Sequence, residues 1–211
     1  MSKDPIHLEE RDTKAQRLFS PSAGRNKDVI GQVLKQYLPR GARVFEVASG
    51  TGEHALHFCG LREDIIWQPS DPDEASRQSQ KAWSNNRPSQ MLNSLNIDVT
   101  AENWWTGLPQ FEGIFCANMI HIAPWEAALG MVAGAKHILA PKGLLFLYGP
   151  FMEGDETAVS NLEFDKNLKK RNSKWGVRDL GSVKHIFADA GFNMMARIVM
   201  PKENRLLIFS T

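Results

Sequence analysis

The sequence predicts an α/β fold: a mostly parallel sheet with helices on both faces, finished by a C-terminal antiparallel hairpin. Three observations carry this. Between residues 27 and 150, helical and strand-like segments alternate repeatedly. The strand-like segments are short apolar runs without polar alternation, as expected of strands covered on both faces. The end of the chain breaks the pattern: residues 195–200 and 205–209 flank the turn Pro201-Lys202-Glu203-Asn204, which reads as a hairpin.

In order, residues 1–20 are charged and aperiodic and read as an extended arm, with residues 21–211 as one domain. Val29, Ile30, Val33, Leu34, Tyr37 and Leu38 recur at helical spacing, and Pro39 to Gly41 end that helix. Residues 44–48 form a buried strand, Ser49-Gly50-Thr51-Gly52 a glycine turn, and residues 54–60 a short helix. Residues 65–68 are a second strand, leading into a polar helix that ends near Asn85. Residues 92–99 are a third strand and 113–118 a fourth. A helix follows from Pro124 or Trp125 to Leu139. Pro141-Lys142-Gly143 is a turn and residues 144–148 a fifth strand. Asp179 starts a helix with Leu180, Val183, Ile186, Phe187 and Ala190 on one face, closed by Gly191.

Composition narrows the function. Of 211 residues, 42% are apolar and 23% charged, which excludes disordered and collagen-like chains. Twenty-five basic and 24 acidic residues leave a formal charge of +1, which argues against a general nucleic-acid binder. The cysteines, Cys59 and Cys116, lie in apolar stretches and form no CxxC pair, so both are expected buried and reduced, which points to the cytoplasm. The N-terminus has no apolar signal core, and no apolar run approaches the ~20 residues of a membrane helix.

In an open α/β sheet, ligands bind beyond the carboxyl ends of the strands. The run Glu46-Val47-Ala48-Ser49-Gly50-Thr51-Gly52 ends a strand and opens a helix, and its glycines let backbone pass close under a ligand. Gly50-x-Gly52-x-x-Ala55 satisfies a relaxed dinucleotide fingerprint, and Asp71, 19 residues after Gly52, stands where an acid would hold ribose hydroxyls. An adenine dinucleotide and S-adenosylmethionine both carry that ribose. Glu46 and Glu53 flank the glycines; they would repel a pyrophosphate and suit a ligand with an ammonium and a sulfonium, which favours the sulfonium cofactor. Asp71-Pro72-Asp73-Glu74 is also a good helix start, so Asp73 is expected as the cap and Asp71 on the ribose. Asp98 is a candidate for the adenine amino group or for another helix cap.

These residues carry a resemblance. Glu46 through His54, then Gln68-Pro69-Ser70-Asp71, resemble the family of methyltransferase-like protein 26 and its bacterial relatives, small class I S-adenosylmethionine-dependent methyltransferase-type proteins. Further matches are Arg25-Asn26-Lys27, the run from Asn118 to Trp125, Tyr148-Gly149-Pro150-Phe151, Asn161 with Phe164-Asp165, Arg171-Asn172 through Asp179, and Met200-Pro201-x-x-Asn204. The chain departs from that pattern at Gly24, Ser173 and Lys202-Glu203. The resemblance implies a Rossmann-like class I methyltransferase fold with a seven-stranded sheet. It implies that Glu46 orients the methionine portion, that Ala48, Ser49, Gly50, Gly52 and His54 surround the cofactor, that Asp71 holds the ribose, and that Asp98 and Val99 meet the adenine. Asn118 and Met119 would border the sulfonium. Arg25 or Asn26, folding over from the arm, would meet the cofactor carboxylate.

His121 is the best candidate base or acceptor-orienting group, because its unperturbed pKa suits proton transfer at neutral pH. Tyr148 is a second candidate. Glu163, Asp165, Arg178 and Asp179 either line an acceptor pocket or brace the C-terminal segment. Lys166, Lys169, Lys170, Arg171 and Lys174 read as a solvated helix face, and Trp104 and Trp105 as packing. His54 and His57 stand one turn apart without further ligands, so no metal is expected. The leading expectation is methyl transfer from S-adenosylmethionine, with S-adenosylhomocysteine as product, to a small-molecule acceptor, with nucleic acid and membrane disfavoured. An NAD(P)-dependent oxidoreductase and a non-catalytic S-adenosylmethionine-binding module are the alternatives.

Overall fold

The structure is a computed structural model that describes residues 12–14 and 16–211. Most of the expected arm, residues 1–11 and residue 15, lies outside the described residues. Its described end forms a small antiparallel ladder, β1 (Asp12–Lys14) with β2 (Arg17–Phe19). β2 docks on the helix at 74–84: the Leu18 N–H donates to Ser79 Oγ at 2.8 Å, and the Arg17 guanidinium lies 4.5 Å over the Trp83 ring.

The main chain order is α1 (Pro21–Tyr37), β3 (Arg43–Val47), α2 (Glu53–Leu61), β4 (Ile66–Pro69), α3 (Glu74–Ser84), β5 (Phe111–Ala117), a 3-10 turn (Met119–His121), α4 (Trp125–Ile138) and β6 (Leu139–Met152). There follow α5 (Val159–Arg171), β7 (Arg178–Asp179), α6 (Leu180–Asp189), β8 (Asn193–Met200) and β9 (Asn204–Ser210). The strands form a seven-stranded sheet in the order β4-β3-β5-β6-β9-β8, with β7 paired to β6. β4, β3, β5 and β6 are parallel to one another, and β9 is antiparallel to β6 and β8.

The central strands β3, β5 and β9 are buried on both faces, as the unbroken apolar runs require. Alternate residues serve the two sides. Phe45, Val47, Ile114 and Cys116 join one core with α4 and α6. Val44, Phe115, Phe146 and Tyr148 join the other with α1 and α2. Both cysteines are buried and free, and burial pushes each thiol up to about 12, so neither is a reactive thiolate.

The structure corrects three expected boundaries. α1 begins at Pro21, two turns before the apolar period starts at Val29, because Ser20 caps it and proline fits its first turn. Arg25 and Asn26 are therefore on this helix, not on an arm that folds over. The expected third strand, 92–99, forms no strand: the chain there makes one isolated parallel bridge, Leu95 with Ser70 just past β4, and a second, Met91 with Trp67 of β4, precedes it. The expected fifth strand runs on through Tyr148 to Met152, taking in the 141–143 turn, where Lys142 adopts φ +63°.

Candidate functional site

β3 is the switch point of the sheet. From it the chain crosses to β4 on one side and returns to β5 on the other. Above the carboxyl ends of β3, β5 and β6 lies a cavity of about 490 Å3. Its floor is the loop after β3. Ala48, Gly50 and Gly52 adopt φ of +52°, +56° and +88°. The left-handed backbone at Ala48 costs about 1–2 kcal/mol in a residue with a Cβ, and such strain gathers at functional sites. At Gly52 a Cβ would also stand 3.1 Å from the Gln80 Cα, so glycine is required.

The loop is fixed by hydrogen bonds before any ligand arrives. The Gly50 N–H donates to Asp71 Oδ2 at 2.8 Å and the Ser49 N–H to the Ser70 carbonyl at 2.8 Å. Gln80 Nε2 donates to the Gly50 carbonyl at 2.8 Å, and Ser79 Oγ to the Thr51 carbonyl at 2.7 Å. Asp71 Oδ1 accepts from the Asp73 N–H at 2.9 Å, while Asp73 caps α3 by accepting from the Ser76 N–H. At this helix start Asp73 is the cap, and Asp71 is turned to the glycine loop.

Glu46 faces the cavity from β3 and is 2% exposed. Trp67 Nε1 donates to its Oε2 at 2.8 Å. Burial raises its pKa to about 8, against the opposing effect of the Trp67 and Ser49 bonds. Glu53 has a different job from the one the sequence suggested. Its Oε2 accepts from the Ser20 N–H at 2.6 Å and from Thr51 Oγ1 at 3.1 Å, tying the start of α1 to the start of α2.

On the same face, α1 and α2 meet β6 through a polar chain. His54 Nε2 lies 2.7 Å from Asn26 Oδ1, and Asn26 hydrogen-bonds Tyr148. Burial lowers His54 to about 3, so it is neutral, and the Asn26 oxygen makes Nε2 the protonated nitrogen. Burial raises the Tyr148 pKa, so its hydroxyl keeps its proton.

His121 lines the cavity from the 3-10 turn after β5 and is 1% exposed. Burial, then the Arg178 charge, lowers it to about 3. Nδ1 lies 3.4 Å from the Arg178 backbone nitrogen, and Nε2 has no hydrogen-bond partner among the described residues. A neutral imidazole at the cavity wall is the form that can act as a base or orient an acceptor. Gly149 makes room for this ring, since a Cβ there would collide with Nε2.

The opposite wall comes from α5, Pro150 and the β8–β9 turn. Ser160, Phe164, Asn167 and Arg171 recur at one helical face of α5, and Asn161 stands beside them. Pro201, Lys202 and Asn204 close the wall.

Of the residues expected at the site, Arg25, Asn26, Glu46, Ala48, Ser49, Gly50, His54, Asn118, His121 and Tyr148 line the cavity. Gly52, Asp71, Asp98, Val99 and Met119 do not. Gly52 and Asp71 stand directly behind the loop. Asp98 is exposed and accepts from the Thr100 N–H and hydroxyl, while Val99 and Met119 are in the core. Glu163 is exposed, and three other charged candidates brace the fold. Asp165 accepts from the Val177 N–H, Arg178 donates to the Ile120 and Ala123 carbonyls, and Asp179 caps α6. Lys166, Lys169, Lys170 and Lys174 are solvated, as expected, but Arg171 borders the cavity. Trp104 is buried against Phe45, and Trp105 stacks on His137. Ser20, Ser22, Ala23, Thr51, Ser160 and Asn167 are lining residues that the sequence reading missed. The α5 residues had a signal in their helical spacing. No group of three or more metal-ligating side chains occurs among the described residues.

A family described as a protein of unknown function, DUF938, matches residues 17–211. The chain belongs to the DUF938 family. This DUF938 chain also shares its fold with solved structures. One is an O-methyltransferase family protein from Burkholderia thailandensis, with TM-score 0.77 and 14% identity over 90% of this chain and 56% of that one. A second is an O-methyltransferase family 2 protein from Planctomyces limnophilus in complex with apigenin, with TM-score 0.77 and 16% identity over 90% and 59%. A third is human N-acetylserotonin methyltransferase in complex with S-adenosylmethionine, with TM-score 0.69 and 13% identity over 90% and 51%. The DUF938 chain thus spans little more than half the length of these proteins. They identify its architecture as the mostly parallel α/β sheet of class I methyltransferases. Among the described residues, no helix is long and apolar enough to cross a membrane.

Proposed function

We propose that this DUF938 chain is an S-adenosylmethionine-dependent methyltransferase acting on a small-molecule acceptor, and that within its family it is akin to methyltransferase-like protein 26. One observation carries the reading. The Glu53 carboxylate already bonds the Ser20 N–H and the Thr51 hydroxyl between the starts of α1 and α2, where a dinucleotide pyrophosphate would need bare N–H groups. Beside it, Glu46 turns a carboxyl into the cavity, where an ammonium suits it. This disfavours the NAD(P) alternative.

The residues present fit such a cofactor. Glu46 accepts the ammonium and ionises as it does so. Asp71, which holds the glycine loop through the Gly50 N–H, is the carboxylate that would accept from the ribose hydroxyls. Ala48, Ser49 and Gly50 form the floor, Asn118 borders the reacting centre, and Arg25, on α1, faces the carboxylate end. When bound, the sulfonium supplies an already activated methyl group, so the protein mainly provides proximity and alignment. Tyr148, held by Asn26, and His121, beside the Arg178 N–H, orient the acceptor.

The test is a calorimetric titration with S-adenosylmethionine and S-adenosylhomocysteine, with NADH as comparator. The sulfonium pair is expected to bind saturably, and Asp71→Ala, which removes two charge-assisted bonds, to weaken it about a hundredfold. Binding of NADH alone overturns the reading. Methyl incorporation from labelled cofactor then separates an enzyme from a silent binding module.

A further inference from the structure

Thr51 of the glycine loop is held twice, and both holds end on the segment before α1. Its carbonyl accepts from Ser79 Oγ at 2.7 Å, and the same Oγ accepts from the Leu18 N–H of β2 at 2.8 Å. Its hydroxyl donates to Glu53 Oε2 at 3.1 Å, and the same Oε2 accepts from the Ser20 N–H at 2.6 Å. Thr51, Glu53 and Ser79 are all buried, so a relay bond that is lost there is not simply replaced by water. Thr51 also lines the cavity. Two positions before the first long helix, Leu18 and Ser20, thus fix the loop that forms the cavity floor.

The ribbon that carries Leu18 is anchored elsewhere, and lightly. The three residues of β2 are only half-buried. They grip one indole of α3. The Arg17 guanidinium lies 4.5 Å over the Trp83 ring, and the Phe19 ring meets it edge-on with centroids 5.1 Å apart. Trp83 Nε1 donates to the Leu18 carbonyl at 3.3 Å, and Arg17 Nε to the Ala82 carbonyl at 3.1 Å. A unit attached through one ring and a few polar bonds opens at a much lower cost than the whole fold. Arg17, Phe19 and Trp83 do not line the cavity, so their influence on a ligand there must pass through the two relays.

We propose that the β1–β2 ribbon is a clasp coupled to the cofactor site: docking on Trp83 closes the relays that hold Thr51, so a bound S-adenosyl cofactor tightens the clasp, and the clasp slows release of the cofactor. The inference rests on the S-adenosylmethionine reading and adds control of that site by a segment outside it. The coupling is reciprocal. Whatever factor docking adds to cofactor affinity, the bound cofactor adds to docking.

The test uses the full chain and S-adenosylhomocysteine. Amide hydrogen exchange at Leu18 and Ser20 is expected to slow about tenfold on saturation, with no comparable change in α6, which shares no bond with the relays. Arg17→Ala combined with Phe19→Ala removes the grip on Trp83 without touching the cavity or a buried side chain. It is expected to release S-adenosylhomocysteine about tenfold faster and to weaken its binding to match. Ser79→Ala breaks one relay and leaves the Trp83 grip in place. It is expected to abolish the ligand-induced slowing at Leu18 while the ribbon stays docked. Exchange at Leu18 and Ser20 that ignores the ligand, or wild-type release from the Arg17 and Phe19 double variant, overturns the clasp with the cofactor reading intact. Absence of S-adenosylhomocysteine binding to the unaltered protein is a distinct result, which overturns the cofactor reading and the clasp with it.

Discussion

The two halves of the cavity are built in opposite ways. The half over the glycine loop comes from one stretch of chain, 46–54, stiffened by Asp71, Ser79 and Gln80, and it presents backbone and one carboxyl. The half beneath α5 comes from segments far apart in sequence, and it meets its ligand with side chains. A loop made of backbone fixes what it binds. A wall made of side chains changes its ligand with single substitutions. The comparison therefore separates a half built from backbone from a half built from side chains, and each can be broken without the other.

The largest effect is expected at Asn26, where the halves join. Asn26→Ala leaves the His54 Nε2–H buried without its acceptor and frees Tyr148. We expect about 1–3 kcal/mol of lost stability by denaturant unfolding, with a greater loss in turnover than in S-adenosylhomocysteine affinity. Unchanged turnover would show that Tyr148 does not orient the acceptor.

Glu46 tests the cofactor half alone. Its carboxyl has a folded-state pKa of about 8 against an ordinary value of 4.5, so the folded chain binds the extra proton between those pH values. Its contribution to stability is fully present below pH 4.5 and is lost as pH rises through about 8. An incoming ammonium reverses the preference, so S-adenosylmethionine binding at pH 7 is expected to release a proton, visible as buffer-dependent heat. Glu46→Gln removes that release, flattens the stability slope above pH 4.5 and weakens binding about tenfold. The histidines act in the opposite sense. His54 and His121, held to about 3, bind protons only in the unfolded chain, so stability falls as pH drops below about 6.5.

How much was legible in the sequence follows the same division. The glycine loop was readable because its parts are contiguous and glycine at φ +88° leaves a mark no other residue can copy. The cap at Asp73 was readable from local chemistry alone. The start of α1 was obscured because its first turns face the polar cavity through Ser22, Ala23 and Asn26, so no apolar period announces them before Val29. The segment 92–99 looked like a full strand because its apolar residues pack on the sheet, yet it makes one isolated bridge, Leu95 with Ser70. The acceptor wall was flagged piecemeal, through Asn161, Phe164, Arg171, Pro201 and Asn204, but no local rule joins α5 to a hairpin turn 30 residues on. The burial that keeps His121 neutral is likewise a tertiary property.

The smallest expected effect sharpens the acceptor half. Glu203→Gly relieves one left-handed side chain and is expected to stabilise the protein by about 1 kcal/mol, read as a raised Tm, without altering S-adenosylhomocysteine affinity. No gain would mean that the turn carries no strain.

A crystal structure of the protein with S-adenosylhomocysteine tests the central claim most directly. The account predicts the ligand's ammonium at the Glu46 carboxyl, its ribose hydroxyls at Asp71 and its thioether beside Asn118, with α5 and the 201–204 turn left facing open acceptor space. A ligand seated instead against α5 and Lys202, or one that leaves the glycine loop untouched, would contradict it.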